Sequence, residues 1–584
     1  MRLVEIRLLE GPNVFRLDPT VKVEVRVGRR RAWRGDRAGS QVTGTRLGAT
    51  VPPREQPDEV VELVAWCRRL RTDAGEGVGG VAAHRGADPG HWVVSYPWSG
   101  GERARTVAEA AVDLASRDVS SGRRAALTGA QARRLARWQA RIATARTDPP
   151  GWITDAVRAV PTISISGTNG KSTVSRLIAH ILAGAGRHVG MTTSDGVYVA
   201  GRLVEPGDWT GPGGAAQVLG RHGVDVAVLE TARGGILLRG IGYESNDASV
   251  LTNVSSDHLD LQGIHTLAEL AEVKATICRI TRPGGWVVLN ADDPLVAAVG
   301  RQVAARLAYF SLRGDGPPVV RRHLATGGRA YLLPDGVLAE VEGPTVRPIA
   351  PARELPIALG GLARYNVANA LAAAGGARAM GASLDEVAEG LRTFEPTTEG
   401  SPGRLNLFRL GRRIVLVDFA HNEAGVEAVL GVARGIAGGA AGRAAPVTAI
   451  IGTAGDRPDD TLRAIGRATA RRADRVVVKE TLSYLRGRAR EEVVGRILEG
   501  IAEGGIDPAS VPVVESETLA LQGELGRADE ADGRPDPSRV IVLLCHEQRP
   551  EVVELLGELG AREVDVRAEL TKLLPRLRDR SGRA

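Results

Sequence analysis

The chain has 584 residues, too many for one hydrophobic core, and this length predicts about three or four domains. Its net charge of +7 is spread along the chain, and no dense Lys/Arg tract alternates with aromatic residues, which disfavours a nucleic-acid-binding function. Cys67, Cys278 and Cys545 lie far apart and lack metal-type or disulfide-type spacing. No leader-like or membrane-length apolar run occurs, so we expect a cytoplasmic protein without membrane contact.

The first part of the chain predicts a small α+β domain at residues 1–120. Residues 3–9 and 21–27 alternate apolar and polar side chains as strands do, and residues 60–70 and 107–114 have helical periodicity. Residues 121–158 are rich in Arg and Ala and predict a solvated connecting helix.

The rest of the chain alternates strands and helices, which is typical of doubly wound parallel sheets. We assign a central domain to residues 159–398, with a small insert at about 310–355 where Gly, Pro and short strands break the pattern. A second series, with strands at 413–418, 446–452, 474–479 and 539–544, predicts a Rossmann-like C-terminal domain at residues 399–584. The predicted fold class is α/β.

A phosphate-binding loop follows the first strand of the central domain. Glycines allow the backbone to approach phosphate oxygens, and the amides at the helix start point toward them. Lys171 would add a positive charge, and the hydroxyl of Ser172 a ligand for Mg²⁺. The first glycine precedes the lysine by four residues, whereas the general P-loop pattern requires six. The loop comprises Gly167, Thr168, Asn169, Gly170, Lys171, Ser172 and Thr173.

Two further residues draw attention by their position. Glu230 ends a buried strand, where a carboxylate can hold Mg²⁺ beside the loop; the alternatives are a helix cap or a solvated strand end. Lys274 falls on the apolar face of a helix, and burying an uncompensated ammonium is costly. A functional role or a lysine that reaches solvent along the edge of that face would each explain it.

The short spacing in Gly-Thr-Asn-Gly-Lys-Ser-Thr resembles the ATP loop of the Mur ligase superfamily, whose members join a carboxylate to an amine using ATP. Other motifs agree: Asn253-x-x-x-Asp257-His258-Leu259-Asp260, Asn290-Ala291-Asp292-Asp293, Gly403-Arg404 and Val417-Asp418-Phe419-Ala420-His421-Asn422. The resemblance implies that His258 helps to hold Mg²⁺ and that a carbamate on Lys274 ligates a second Mg²⁺. It also implies that Asn290 contacts adenine, Arg404 reaches the γ-phosphate and Asp418 binds the ribose.

Within the superfamily, the sequence from 160 to about 500 resembles the Mur-like half of cyanophycin synthetases. Among the shared motifs are Thr192–Gly196 and the stretch from Leu229 to Ile236. Residues 1–120 more faintly resemble the N-terminal domain of those enzymes, through Leu9-Glu10-Gly11-Pro12-Asn13. Cyanophycin synthetases carry an ATP-grasp domain between these two parts, and here only about forty residues separate them, too few for such a domain.

The resemblance implies an ADP-forming acid–amino acid ligase that uses ATP and Mg²⁺ and proceeds through an acyl-phosphate. The expected substrates are an amino acid, such as arginine, and an acidic peptide or amino acid, and a separate ATP-grasp enzyme is a candidate partner. The expected catalytic residues are Lys171, Glu230, His258, Lys274 and Arg404, and the expected metal ligands are Ser172, Glu230, His258 and Lys274.

Several points stay open at this stage. A catalytically degenerate, nucleotide-binding module that regulates or scaffolds a partner is the alternative function. Homo-oligomerisation is also open. Four arginines could hold substrate carboxylates or be solvated surface residues: Arg233, Arg239, Arg486 and Arg488.

Overall fold

The computed structural model describes residues 1–28, 47–77, 79–116, 129–256, 259–439, 445–531 and 539–573. Within these ranges the strands form a four-stranded, an eleven-stranded and a seven-stranded sheet, and helices pack against all three. The two larger sheets are mostly parallel, which confirms the predicted α/β fold class. Every helix in the described part is too short or too polar to cross a bilayer.

The N-terminal domain is an antiparallel sheet of order β1-β2-β4-β3 with three helices packed on it. Alternate residues of β2, Val21, Val23 and Val25, are fully buried against α1 and α2, as the period-2 pattern predicts. The elements are β1 (Arg2–Leu9), β2 (Thr20–Arg26), α1 (Asp58–Asp73), β3 (Ala82–Arg85), β4 (His91–Pro97), α2 (Gly101–Ala115) and α3 (Gly129–Thr144).

The helix predicted as a solvated connector, α3, packs on this domain. Leu135 and Ile142 are buried in the N-terminal core, and the indole of Trp138 donates to Asp113 on α2 at 2.8 Å. Its exposed face carries the arginines that dominate the local sequence, which is why composition alone indicated a solvated helix.

The central domain has a parallel core of order β6-β9-β5-β10-β11-β12-β13, with antiparallel strands at both edges. Its strands are β5 (Thr162–Ser166), β6 (Val189–Thr192), β7 (Gly196–Val199), β8 (Arg202–Pro206), β9 (Val226–Glu230), β10 (Asn246–Leu251), β11 (Thr281–Asn290), β12 (Arg306–Ser311), β13 (Arg329–Leu332), β14 (Val337–Glu342) and β15 (Thr345–Pro351). Its helices are α4 (Lys171–Gly184), α5 (Pro212–Leu219), α6 (Arg233–Leu238), α7 (Leu267–Lys274), α8 (Thr276–Arg279), α9 (Pro294–Val299), α10 (Pro318–Ala325), α11 (Arg364–Ala379) and α12 (Leu384–Thr393).

The segment predicted as a separate insert, about 310–355, instead continues the large sheet. Strand β13 pairs in parallel with β12, and β14 and β15 follow as an antiparallel extension. Tyr331 and Leu338 pack into the same core as the central helices, so this segment shares its hydrophobic core with the domain. The tight turns between short strands explain why the sequence pattern looked like an interruption.

The C-terminal domain has a parallel core of order β20-β19-β18-β21-β17, with β16 and β22 pairing antiparallel at one edge. Its elements are β16 (Asn406–Leu410), β17 (Arg413–Asp418), α13 (Glu423–Gly439), β18 (Val447–Ile451), α14 (Asp459–Ala470), β19 (Arg475–Lys479), α15 (Arg490–Glu503), β20 (Val513–Val514), α16 (Glu517–Ala531), β21 (Val540–Leu544), α17 (Arg549–Glu558), β22 (Arg562–Glu563) and α18 (Val566–Leu573). The four parallel strands expected from the sequence are all present within one residue of their predicted limits.

Candidate active site

The loop between β5 and α4 has a backbone conformation that only glycine can adopt at two positions. Gly167 has φ 150°, and a Cβ there would lie 1.9 Å from the hydroxyl oxygen of Thr252. Gly170 has φ 87° and caps α4, and a Cβ there would lie 2.3 Å from Oδ1 of Asn369. Both positions therefore exclude side chains, which leaves the backbone amides at the start of α4 accessible to a ligand.

The end of β10 holds this loop in place. The amide of Asn169 donates to Oδ1 of Asn253 at 2.9 Å, and Thr252 and Asn253 both donate to the carbonyl of Asn169, at 2.7 and 2.9 Å. Strand β10 ends at Leu251, and the two residues that follow it turn their side chains toward the loop. Thr252 belongs to none of the sequence motifs, although its position after a central strand was a usable signal.

Lys171, Ser172 and Glu230 come together beside the loop. Nζ of Lys171 donates to the carbonyl of Thr168 at 2.9 Å, and Ser172 Oγ lies 3.4 Å from Ser194 Oγ. Glu230 ends β9 with 3% of its surface exposed, and its Oε2 has no hydrogen-bond partner among the described residues. Burial raises the pKa of Glu230, and the nearby Lys171 and Ser172 only partly offset this effect.

Lys274 lies under the same loop. Its Nζ donates to the carbonyl of Gly167 at 2.7 Å, and the residue is 5% exposed at the end of α7. Leu270, Ile277 and Cys278 are buried with it, so the periodicity placed the lysine on the correct, buried face. Asp257 and His258 lie outside the described residues, and the role of His258 stays a prediction.

The C-terminal domain carries Arg404 and Asp418, and the charge of Arg404 acts on both Glu230 and Asp418. The guanidinium of Arg404 stacks over the ring of Phe419, 4.6 Å from its centroid. The carboxylate of Asp418 accepts hydrogen bonds from the backbone amides of Leu405 and Ala420, both at 2.8 Å. Asp418, the last residue of β17, therefore connects this strand to the turn that contains Arg404. Burial raises its pKa, although Arg404 and the two amides act in the opposite direction.

Asp195 connects the central and C-terminal domains, a role that the sequence did not predict. Its Oδ1 lies 2.9 Å from Nη1 of Arg549 in the C-terminal domain, and its Oδ2 lies 3.3 Å from Nη2 of Arg176 on α4. Burial acts to raise the pKa of Asp195, but Arg404, Arg549 and Arg176 together lower it. A second contact joins the same surfaces, because Nδ2 of Asn422 donates to Oδ1 of Asn169 at 3.0 Å.

Asn290 lies at the end of β11, close to the other strand ends. Its Nδ2 donates to the carbonyl of Thr252 at 2.8 Å, and its Oδ1 accepts from the amide of Asp292 at 2.9 Å. The side chain thus links neighbouring loops at the carboxyl edge of the sheet. Contact with adenine stays a prediction for this residue.

A cleft of about 370 Å³ opens between the central and C-terminal domains. It is lined by Leu259–Leu261 on one side and by Gly455–Pro458 and Arg486–Arg488 on the other. The half-exposed Arg486 pairs with Asp456, whose Oδ1 has no partner within the described ranges.

The other three candidate arginines are held by protein partners, although Arg488 also lines this cleft. Arg488 pairs with Asp459 and Glu492, Arg239 lies 3.6 Å from Glu10 of the N-terminal domain, and buried Arg233 donates to the carbonyl of Leu261. The side chain of Arg486 is 52% exposed against 18% for that of Arg488, so Arg486 is the candidate arginine better placed to meet a ligand in the cleft.

The loop at 167–173, together with Glu230, fits a nucleotide and a divalent cation. The loop excludes side chains at Gly167 and Gly170, and the unpartnered Oε2 of Glu230 lies in a polar environment with the hydroxyl of Ser172. Oxygen ligands of this kind are those that Mg²⁺ prefers.

The chain is similar to known protein families and to characterised enzymes. Residues 165–377 match the Mur ligase middle domain and residues 403–533 match the Mur ligase, glutamate ligase domain. The cyanophycin synthetase of Crocosphaera subtropica is 41% identical over 371 residues, 64% of this chain and 41% of that protein. The chain thus spans about two fifths of the length of the cyanophycin synthetases it matches.

A relative of more similar extent is the UDP-N-acetylmuramoyl-L-alanyl-D-glutamate–2,6-diaminopimelate ligase of Alkalilimnicola ehrlichii, 30% identical over 68% of this chain and 73% of that enzyme. The solved Mycobacterium tuberculosis folylpolyglutamate synthase, complexed with ADP and AMPPCP, is 22% identical, with a TM-score of 0.48 over 70% of this chain and 93% of its own. The two domain matches and the extent of the diaminopimelate ligase match show that the chain belongs to the Mur ligase family of amide-forming ligases.

Proposed function

We propose that this chain joins a carboxylate to the amine of an amino acid, with ATP converted to ADP and phosphate. The observation that carries the proposal is the buried carboxylate of Glu230, which has an oxygen without a partner in the described structure, beside an ATP-type loop. A buried acceptor left unpaired is costly, and a bound cation would remove that cost.

In the proposed reaction, a substrate carboxylate oxygen attacks the γ-phosphorus of ATP, and the bond from that phosphorus to the β–γ bridging oxygen breaks. The products of this step are an acyl-phosphate and ADP. Lys171 would exchange its bond to the Thr168 carbonyl for a phosphate oxygen, and Arg404 would stabilise the negative charge from the opposite domain. Mg²⁺ held by Ser172 and Glu230 would neutralise part of the phosphate charge at this site.

In the second step, the lone pair of an uncharged amine attacks the acyl carbon, phosphate leaves, and the nitrogen loses a proton as the amide forms. We assign the amine substrate to the interdomain cleft, because 370 Å³ lies within the range of roughly 300 to 1,000 Å³ that is usual for small-molecule sites. Arg486 would bind the α-carboxylate of the incoming amino acid, and the unpaired oxygen of Asp456 would accept a hydrogen bond from its nitrogen.

An acyl-phosphate must be protected from water until the amine arrives. The contacts between Asp195 and Arg549 and between Asn169 and Asn422 hold the C-terminal domain against the loop, which supports such protection. We propose an acidic peptide or amino acid as the carboxylate substrate and arginine among the candidate amines. A separate ATP-grasp enzyme is the proposed source of an acidic peptide.

The proposal is tested by an ADP-release screen. Purified protein is incubated with MgATP, the twenty amino acids and a set of Asp- and Glu-containing acceptors, and products are identified by mass spectrometry. We expect ADP release that requires both substrates and is abolished in Lys171→Ala. The matched control is Lys22→Ala, because Lys22 lies in the N-terminal sheet and pairs with Glu5 and Glu24.

Two outcomes would contradict the proposal. Tight ATP binding without ADP release for any substrate pair would indicate a nucleotide-binding module that regulates a partner. Equal turnover in the wild type and Lys171→Ala would mean that this loop is not the site of phosphoryl transfer.

A further inference from the structure

The C-terminal domain contains a buried charged cluster that the proposed chemistry does not use. Lys479 ends β19 and Glu517 begins α16, and both side chains are fully buried, with Nζ 2.5 Å from Oε1. His546 follows β21, and its Nδ1 lies 3.0 Å from the same Nζ. The cluster lies at the carboxyl end of the sheet, the same edge from which Asp418 extends.

The fold makes room for this cluster. Gly452 follows β18, and a Cβ there would lie 2.8 Å from Cε of Lys479 and 2.4 Å from its carbonyl oxygen. A buried ion pair generally contributes little to stability compared with well-packed apolar residues of the same volume. Stability alone therefore gives weak grounds for a charged cluster here, and its contacts indicate another role.

The first set of contacts leads to Arg404. An ammonium has hydrogens only to donate, so Nδ1 of His546 is the acceptor and its Nε2 carries the hydrogen. That Nε2 donates to the carbonyl of Ala420 at 3.1 Å, and the imidazole packs edge-on against Phe419 at a centroid distance of 5.1 Å. The face of the Phe419 ring supports Arg404.

The second set of contacts leads to Arg549. The carboxylate of Glu517 accepts from the backbone amides of His546 at 2.6 Å and Gln548 at 2.7 Å, and it also accepts from the amide of Glu547. These bonds fix the turn before α17, and the first residue of that helix is Arg549, which reaches Asp195 in the central domain.

We propose that Lys479, Glu517 and His546 form a positioning network that holds Arg404 toward the ATP site and Arg549 on Asp195 of the central domain. The network acts through Phe419, Ala420 and the turn at 545–548 and touches neither nucleotide nor substrate. This inference rests on the proposed function, because it assumes that Arg404 meets the phosphates of ATP.

The test compares His546→Leu and His546→Gln. The leucine removes the donor to Ala420, whereas a glutamine amide can restore it. We expect His546→Leu to lower kcat at least about tenfold with little change in KM for ATP, since the interaction with Arg404 is made in the transition state. His546→Gln should recover most of this loss.

The matched control is Glu524→Gln. Glu524 lies on α16 and pairs with Arg475 on β19, so it repeats the helix-to-strand ion pair of Glu517 and Lys479 two turns farther from the site. Its kcat should equal that of the wild type. Phe419→Leu is a second probe that leaves the buried charges intact, and it should reduce kcat in the same way as His546→Leu.

A double-mutant cycle separates positioning from general damage. In an Arg404→Ala background, His546→Leu and Phe419→Leu should cause little further loss, because the residue they position is already absent. Losses that simply multiply would overturn the network while leaving the proposed function intact. Unchanged turnover in Arg404→Ala alone would instead contradict the proposed role of Arg404 in phosphoryl transfer.

Discussion

Glu230 and Glu517 are both buried carboxylates beside a parallel sheet, yet their environments are opposite. Glu230 has an oxygen without a partner in the part of the chain that the structure describes, and burial raises its pKa. Burial also acts to raise the pKa of Glu517, but Lys479 and the donors from Cys545 and His546 lower it to about 2. The unsatisfied carboxylate indicates a ligand site, whereas the satisfied one indicates a structural support.

Replacing Glu230 with Gln gives the largest expected effect on activity. Loss of the charge proposed to bind Mg²⁺ should lower kcat by roughly 10³-fold, while thermal stability stays equal to that of the wild type or rises, because a buried carboxylate with an unpartnered oxygen is removed. ADP release and thermal unfolding measure the two effects. Normal turnover, or a clear loss of stability, would break the contrast between the two glutamates.

Replacing Glu517 with Gln should, unlike Glu230→Gln, clearly lower stability. The substitution leaves the Lys479 ammonium buried without its counter-charge, so the free energy of unfolding should fall by about 3 kcal/mol. Chemical denaturation of the wild type and the variant at neutral pH measures this difference. A destabilisation no larger than that of Glu524→Gln would show that the network is dispensable for stability.

Replacing Arg486 with Ala tests whether the interdomain cleft binds the amine substrate. Loss of the proposed bidentate contact with the substrate carboxylate should raise KM for the amine substrate about tenfold and change KM for ATP little. Steady-state kinetics with each substrate varied in turn measures both. Arg239→Ala is the control, since its partner is Glu10 in the N-terminal domain, and equal KM values in the two variants would refute the assignment.

The smallest expected effect is a change of folding stability with pH. Burial and the neighbouring Lys479 lower the pKa of His546 well below its usual value, so the unfolded chain binds a proton there more readily than the folded one. Stability should therefore fall as pH drops below about 6.5, with a slope of up to roughly 1.4 kcal/mol per pH unit for this one proton. In denaturation experiments between pH 6.5 and 5, the free energy of unfolding of His546→Gln should depend less steeply on pH than that of the wild type. Identical slopes would contradict a lowered pKa for His546.

Much of the fold and the nucleotide end of the site follows from local sequence. The loop at 167–173 and Glu230 lie at ends of central strands, so periodicity and short motifs were sufficient to predict that they meet. The extension of the large sheet through β13–β15 was missed, because edge pairing leaves little trace in local patterns.

Contacts between distant segments were not predictable from one sequence. Asp195 and Arg549 are 354 residues apart, and Lys479 and His546 are 67 residues apart. Each pair depends on how complete sheets pack and on where their loops come together, which no local propensity encodes. The docking of the N-terminal domain, through the amide of Glu10 and the carbonyl of Arg239 at 2.7 Å, has the same origin.

The most direct test of the proposed chemistry follows one oxygen atom. With the acceptor identified by the screen, its carboxylate is labelled with oxygen-18 and the released phosphate is analysed by mass spectrometry. Attack of that carboxylate on the γ-phosphorus predicts one labelled oxygen in the phosphate for each amide formed. Unlabelled phosphate at full amide yield would contradict an acyl-phosphate and with it the central claim about this site.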